Sequence, residues 1–130
     1  MDPVVHFEMP FEDKKRMVDF YAHAFGWKSN DVPNEPDQYT LMTTTEVDEK
    51  GWPKEVARIN GGFYAKQHDK PNQYPTVVIA IKDIDESMEK IVAGGGKILG
   101  EPIEVPGYGT YVTFLDTEGN RVSMMQPKGM

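Results

Sequence analysis

The sequence contains no cysteine among its 130 residues, which excludes disulfide frameworks, zinc–thiolate sites, iron–sulfur clusters and thiol nucleophiles. It also lacks an excess of positive charge. Fourteen Lys and Arg stand against 21 Asp and Glu, and the resulting net charge of −7 disfavours general binding to nucleic acid. No apolar run approaches the roughly 20 residues of a membrane span, and the first ten residues lack a signal-peptide pattern. We therefore expect a cytoplasmic protein with neither nucleic-acid nor membrane partners.

Hydrophobic periodicity predicts the same succession of elements twice, in the order βαβββ then βαβββ. The first half is predicted to hold a strand over 4–9 that ends at Pro10, a helix over 13–25, a loop over 30–37, and strands over 38–47 and 55–64. The second half is predicted to hold a strand over 76–81, a helix over 83–93, and strands over 97–105, 111–115 and 121–126. A shift of 70 residues lays Asp13 on Asp83 and Gly26 on Gly96, so helix starts and terminal glycines coincide.

This repeat predicts a single domain over 1–130, with modules over about 1–66 and 75–130 and a polar, proline-bearing linker over 67–74. The apolar face of the first helix is predicted to comprise Met17, Phe20, Tyr21, Ala24 and Phe25. One helix cannot cover both faces of a four-stranded sheet. We therefore expect the paired modules to leave a concave sheet interior where a ligand can bind.

Three stretches of sequence resemble the glyoxalase/bleomycin resistance protein/dioxygenase superfamily, also called the vicinal oxygen chelate superfamily. They are HFEMPFED with DFYAHAFGW, then VVIAIKDIDESMEKIVAGGGKIL, then YVTFLDTEGNRVSMMQP. The resemblance covers nearly the whole chain and is nearest to small glyoxalase-like proteins. It implies an α+β fold in which two βαβββ modules form a cupped mixed sheet, often in a homodimer.

The superfamily's enzymes usually hold a divalent metal, and the resemblance allows each ligand position to be checked. The first-strand ligand matches His6, but its counterpart in the second module is Thr76 and the last-strand carboxylate is Ser123. The strand that should supply the remaining ligand has no acid, His or Gln between Ala57 and Ala65. Metal sites need several donors that converge on one point. We therefore expect neither a metal nor another cofactor.

His6 and Glu8 are the candidate catalytic residues, because strand alternation places them on one face. A carboxylate near an imidazole raises the imidazole pKa and makes it a general base. The alternative interpretation is a buried histidine that its neighbour satisfies. The candidate substrate-binding residues are Thr76, Ser123, Tyr64, Tyr108 and Tyr111.

Two functions remain open from the sequence. One is a lyase or isomerase related to lactoylglutathione lyase, acting on a small carbonyl compound without a metal or with a degenerate metal site. The other is a binding protein that sequesters a small molecule without catalysis, as bleomycin-resistance proteins do. In both cases we expect a small-molecule ligand and a homodimer whose exposed aromatic residues, such as Trp52, form an interface or a ligand wall.

Overall fold

A computed structural model describes residues 1–33 and 35–129 of the chain. They divide into two compact units: the N-terminal unit, His6–Pro75, and the C-terminal unit, which combines Met1–Val5 with Thr76–Met130. The elements in chain order are β1 (Val4–Phe11), α1 (Lys14–Phe25), β2 (Lys28–Asp31), β3 (Tyr39–Thr43), β4 (Asn60–Ala65), β5 (Thr76–Ala80), α2 (Ile84–Ala93), β6 (Lys97–Val105), β7 (Gly109–Leu115) and β8 (Arg121–Pro127). The order is βαβββ twice, as predicted, but only two of the three strands that follow α1 were located from the sequence, because β2 was not among them.

The N-terminal unit is a sheet with α1 against one face. Its strands run in the order β2-β3-β4-β1, with β1 parallel to β4 and the other pairs antiparallel. The core lies between this face and the helix, where Phe11, Met42 and Phe63 are buried. Because side chains alternate along a strand, the residues between these core positions point to the opposite face.

The C-terminal unit repeats this arrangement with α2. Its strands run in the order β5-β8-β7-β6, and β5 is parallel to β8. Ile81, Ile84, Val112 and Met124 form the buried core beneath the helix. The pairing of β6 with β7 shifts its register between Leu99 and Ile103, around Gly100 and Pro102.

Both helices begin at the predicted aspartates. The side chain of Asp13 accepts a hydrogen bond from the Arg16 backbone N–H, and Asp83 does the same for Glu86, each at 3.0 Å. These bonds satisfy N–H groups that have no partner inside the helix. Neither helix is long and apolar enough to cross a membrane.

The helix ends differ from the predicted alignment. The α1 helix has 12 residues and α2 has 10. The left-handed residue after the helix is therefore Gly26 (φ 73°) in one case and Gly95 (φ 97°), rather than Gly96, in the other. Helix starts keep the 70-residue shift, whereas helix ends do not.

Four strand boundaries in the first half were predicted wrongly. The strand β1 continues through Pro10 to Phe11, because a proline fits a strand wherever the ladder does not need its N–H. The strand β2 lies partly where a loop was predicted, and residue 34 of that loop lies outside the described residues. The predicted strands 38–47 and 55–64 shorten or shift to Tyr39–Thr43 and Asn60–Ala65.

The apolar face of α1 was also predicted only in part. Met17, Val18 and Tyr21 pack against the core, but Phe20 and Phe25 are 60% and 65% exposed. The part of α1 that packs against the core is narrower than the apolar face predicted from the sequence. As a result, two large aromatic side chains of the helix are left in solvent.

Candidate functional site

The sheet face opposite α1 carries a histidine–tyrosine pair. His6 on β1 and Tyr39 on β3 come from sequence positions 33 residues apart, and the His6 Nε2 atom lies 3.0 Å from the Tyr39 hydroxyl oxygen. Phe7, next to His6, packs into the helix-side core, so strand alternation places His6 on the other face. His6 therefore lies on the sheet face that α1 does not cover.

Gly62 makes this pair possible. A Cβ atom at position 62 would overlap the ring and hydroxyl of Tyr39. The Tyr39 side chain therefore lies across β4 directly over Gly62, and reaches β1 on its far side. Glycines inside a strand often mark a bulge or the close approach of a ligand or another backbone. Instead, Gly62 makes room for Tyr39, and Gly61 makes room for the Phe7 ring on the other face.

Glu8 is the buried carboxyl group on the same face as the pair. Only 5% of its surface is exposed, and its register partner on β4 is Gly62, the residue beneath Tyr39. A carboxyl group removed from water requires compensating interactions. The imidazole and the carboxyl group of β1 thus share one face with the phenol of β3, which lies over Gly62 of β4.

Burial lowers the pKa of His6 from 6.5 to about 4. The sequence analysis predicted the opposite direction, on the ground that Glu8 would raise it, and that prediction was wrong. Loss of hydration disfavours the charged imidazolium and outweighs the neighbouring groups. His6 is consequently a neutral imidazole at pH 7, able to donate a hydrogen bond from one ring nitrogen and accept with the other.

The C-terminal unit holds a cluster of hydroxyl groups on the sheet face opposite α2. The Ser123 Oγ atom lies 2.6 Å from the Tyr111 hydroxyl and 3.1 Å from Thr113 Oγ1. Ser123 and Thr113 are buried, at 2% and 7% exposure. The predicted residues Ser123 and Tyr111 are therefore in contact, and the cluster adds Thr113.

The structure also describes the surroundings of the other predicted binding residues, Thr76, Tyr64 and Tyr108. The Thr76 hydroxyl donates to the backbone carbonyl of Arg121 at 2.6 Å. Tyr64 is half-buried on β4 in register with Tyr39, and Tyr108 is 43% exposed in the turn before β7. Substrate binding by Thr76, Tyr64 and Tyr108 stays a prediction.

The side chains at the family's ligand positions do not suit a divalent metal. Thr76 and Ser123 offer neutral hydroxyls, and both are already hydrogen-bonded to protein atoms. The one imidazole, His6, has its Nε2 atom paired with a tyrosine. Among residues 1–33 and 35–129, no three His, Cys, Asp or Glu side chains form a group suited to a metal ion. Zinc and related metals are held by imidazole, carboxylate or thiolate donors, so this donor set does not fit one.

Sequence reasoning missed Tyr39, Gly62 and Thr113. The long separation between Tyr39 and His6 hides their contact from any local pattern. Thr113 could have been found, because it lies on β7 two residues after Tyr111 and so shares its face. The pair of glycines in β4 was the one signal for the Tyr39 contact, because a glycine inside a strand marks the close approach of other atoms to the backbone.

A model of the Glyoxalase/Bleomycin resistance protein/Dioxygenase superfamily matches residues 4–124. A probable chloroplastic lactoylglutathione lyase from Arabidopsis thaliana is 29% identical over 120 residues, which cover 91% of this chain and 34% of that protein. The chain therefore spans about a third of the length of this relative.

Solved structures share the architecture. A methylmalonyl-CoA epimerase from Mycobacterium tuberculosis superimposes with a TM-score of 0.67 at 12% identity, over 96% of this chain and 87% of that one. A glyoxalase/bleomycin resistance protein/dioxygenase superfamily member from Vibrio splendidus 12B01 gives 0.60 at 13% identity, over 97% and 99%. At such identities the likeness concerns the fold alone. The predicted α+β fold of two βαβββ modules is confirmed.

Proposed function

This chain belongs to the glyoxalase/bleomycin resistance protein/dioxygenase superfamily, and from that membership we propose that it is a metal-independent lyase or isomerase acting on a small carbonyl compound. The reaction class is removal of a proton from the carbon next to a carbonyl group. Two relatives support this class by name, because lactoylglutathione and methylmalonyl-CoA are both thioesters with a hydrogen on that carbon.

The observation that carries the proposal is the Tyr39 hydroxyl held over Gly62 by His6, beside the buried Glu8. Removing such a proton places negative charge on the carbonyl oxygen. A tyrosine hydroxyl both donates and accepts hydrogen bonds, so the His6–Tyr39 pair can deliver a hydrogen bond to that oxygen. A neutral imidazole suits this role, because it can donate to the phenol oxygen.

Glu8 takes the role of base in this proposal. His6 does not take this role, because its Nε2 atom is hydrogen-bonded to the Tyr39 hydroxyl and holds the phenol in place. The roles predicted from sequence are thus exchanged in part: the carboxylate removes the proton, and the histidine positions the tyrosine. Both residues remain in the predicted catalytic set.

Organic side chains replace the family's metal in this proposal. In metal-dependent relatives a divalent ion would polarise the carbonyl oxygen. Here Tyr39 occupies that role, and the hydroxyl-bearing positions 76 and 123 leave His6 as the one imidazole at the three ligand positions that the resemblance implies. Tyr111, Ser123 and Thr113 stay candidate groups for hydrogen bonds to ligand oxygens.

The test is solvent-deuterium exchange into lactoylglutathione, followed by proton NMR. Wild-type protein should exchange the hydrogen on the carbon next to the thioester carbonyl, and Glu8→Gln should abolish the exchange. Tyr39→Phe should slow it about 100-fold, the usual loss for one donor to a developing oxyanion. Tyr74→Phe, at an exposed tyrosine, is the matched control and should keep the wild-type rate. Equal rates in wild type, Glu8→Gln and Tyr39→Phe would refute the assigned roles.

The second candidate function is small-molecule capture without chemistry. The hydrogen bond between His6 and Tyr39 favours it, because polar side chains held in fixed positions orient a bound ligand without any chemistry. Calorimetry distinguishes the two functions. Binding of lactoylglutathione that Tyr39→Phe weakens, with no deuterium exchange in the wild type, would establish capture. The cytoplasmic location and the homodimer stay predictions under either function.

A further inference from the structure

Asn60, the first residue of β4, is a polar residue on the face of the His6–Tyr39 pair that the proposed function does not use. It is the register partner of His6, as Gly62 is the register partner of Glu8. Residues 60 and 62 are two apart on one strand, so they share a face. Asn60 is half-buried. It therefore lies beside the imidazole across the sheet, and beside the residue under the phenol along its own strand.

The chain itself fixes the orientation of the Asn60 amide. The Oδ1 atom accepts hydrogen bonds from the backbone N–H groups of Thr44 at 2.8 Å and Thr45 at 3.3 Å. Only the oxygen of an amide group accepts, so these two donors determine which end of the planar group faces the loop after β3. The other end is the Nδ2 group with its two N–H donors. It has no hydrogen-bond partner among residues 1–33 and 35–129.

The strand geometry allows the Asn60 amide and the Tyr39 hydroxyl to bind one ligand atom together. The hydroxyl oxygen lies 3.0 Å from the Nε2 atom of His6, which is the strand neighbour of Asn60. Neighbouring strands are about 4.8 Å apart, and residues two apart on a strand are about 6.6 Å apart. Two donors that share one oxygen, each about 2.9 Å from it, stand up to about 6 Å apart. The spacing of the strand positions therefore suits such a pair of donors.

We propose that the Nδ2 group of Asn60 and the hydroxyl of Tyr39 together donate hydrogen bonds to the carbonyl oxygen of the substrate. The inference rests on the proposed function and adds a second donor to its site. A carbonyl oxygen has two lone pairs, and it gains negative charge as Glu8 removes the neighbouring proton. Donors that are already in position stabilise this charge without reorganisation. The amide also carries no titratable group, so its contribution does not depend on pH.

Asn60 also anchors the loop after β3, so the test must separate the two roles. Asn60→Asp keeps an oxygen for the N–H groups of Thr44 and Thr45 but removes the N–H donors. Circular dichroism and melting temperature should therefore stay close to those of the wild type. Thr44→Val is the matched control. It removes the hydroxyl that donates to the Ile59 carbonyl at 2.7 Å, at the base of the same loop, and leaves the Asn60 amide in place.

Deuterium exchange into lactoylglutathione measures the effect of the second donor on the reaction. Asn60→Asp should lower the rate about 100-fold, as expected for the loss of one donor to a developing oxyanion. Thr44→Val should keep the wild-type rate. Exchange at the wild-type rate in Asn60→Asp, with slowed exchange in Tyr39→Phe, would overturn this inference and leave the proposed function intact.

Calorimetry tests the same hydrogen bond without any chemistry. S-methylglutathione is the matched ligand, because it has no thioester carbonyl group. Asn60→Asp should weaken the binding of lactoylglutathione about threefold to tenfold more than that of S-methylglutathione, since the new negative charge acts on both ligands alike. This selective loss, in a wild type that shows no exchange, would refute the proposed function and support the Asn60 contact. Equal losses for both ligands, or no binding of lactoylglutathione to the wild type, would overturn the inference.

Discussion

Tyr39 reaches His6 only because residue 62 has no side chain. The contact therefore depends on one residue from each of three strands: Tyr39 on β3, Gly62 on β4 and His6 on β1. Neighbouring strands lie about 4.8 Å apart, so a phenol lying flat across one strand spans the distance to the next. The fold thereby fixes the position of the hydroxyl group beside Glu8.

Replacing Gly62 with alanine should displace Tyr39. The added Cβ would overlap the phenol, and overpacking of this kind costs about 1–3 kcal/mol of unfolding free energy. Urea denaturation measures the loss, and deuterium exchange should fall together with it. Gly61→Ala is the matched control: it strikes Phe7 on the helix side, so it should destabilise the protein without slowing exchange. In a Tyr39→Ala background, Gly62→Ala should become nearly neutral, and a full loss there would refute the close approach.

His6 should make stability depend on pH. Its pKa is about 4 in the fold against 6.5 for a free histidine, so the unfolded chain binds the proton more tightly. The stabilising contribution is complete above pH 6.5 and is lost as the pH falls towards 4, a loss of about 2–3 kcal/mol between pH 7 and 4.5. Denaturation at these two pH values should show this loss reduced in His6→Gln and retained in His23→Gln, whose histidine is exposed. Identical pH dependence in wild type and His6→Gln would contradict the burial argument.

At the scale of elements, both helices begin with an aspartate as the N-cap residue. Asp13 and Asp83 each accept a backbone N–H, but only α2 also carries acidic residues in its first turn, Asp85 and Glu86. Carboxylates near a helix N-terminus are stabilising. Helix α1 has none in that turn and depends more on its cap.

Removing the caps should therefore have unequal effects. We expect Asp13→Ala and Asp83→Ala each to cost about 0.5–2 kcal/mol of unfolding free energy, with the larger cost at Asp13. Asp13→Ser should recover most of the loss, because serine also accepts from the N3 backbone N–H. Thermal denaturation of the three variants checks the order. A smaller cost at Asp13 than at Asp83 would show that the first-turn acids contribute little.

The elements that the sequence predicted well are those with several agreeing signals. Both helices combine a capping aspartate with an apolar stripe and a terminal glycine. The strand β2 has no such pattern, since all four residues of KSND are exposed at the edge of their sheet. Phe20 was predicted to lie on the packed face of α1 but is exposed. Periodicity shows that an apolar side chain lies on one face of a helix, but it does not show whether another element covers that face.

The candidate site was predictable only where a local sequence pattern places its residues. His6 and Glu8 follow from alternation along one strand, which is a local property. Tyr39 could not be predicted, because its contact depends on the register of three strands. The direction of the His6 pKa was wrong because burial depends on packing from all sides, whereas the sequence places only Glu8 beside it.

At the scale of the whole molecule, the chain has its family's architecture of two βαβββ modules. At the three strand positions where the resemblance implies metal ligands, it carries His6, Thr76 and Ser123. Function in such a fold depends on the site residues and not on the topology. We therefore propose that Tyr39, His6 and Glu8 carry out the chemistry without a divalent ion.

The most direct test of this claim is the rate of deuterium exchange into lactoylglutathione before and after chelation. Protein dialysed against EDTA should exchange the hydrogen as fast as untreated protein, and added zinc, nickel or manganese should leave both the rate and the melting temperature nearly unchanged. Metal that binds the native state would raise the melting temperature in proportion to the logarithm of its saturation. Loss of exchange on chelation, restored by one of these ions, would contradict the account.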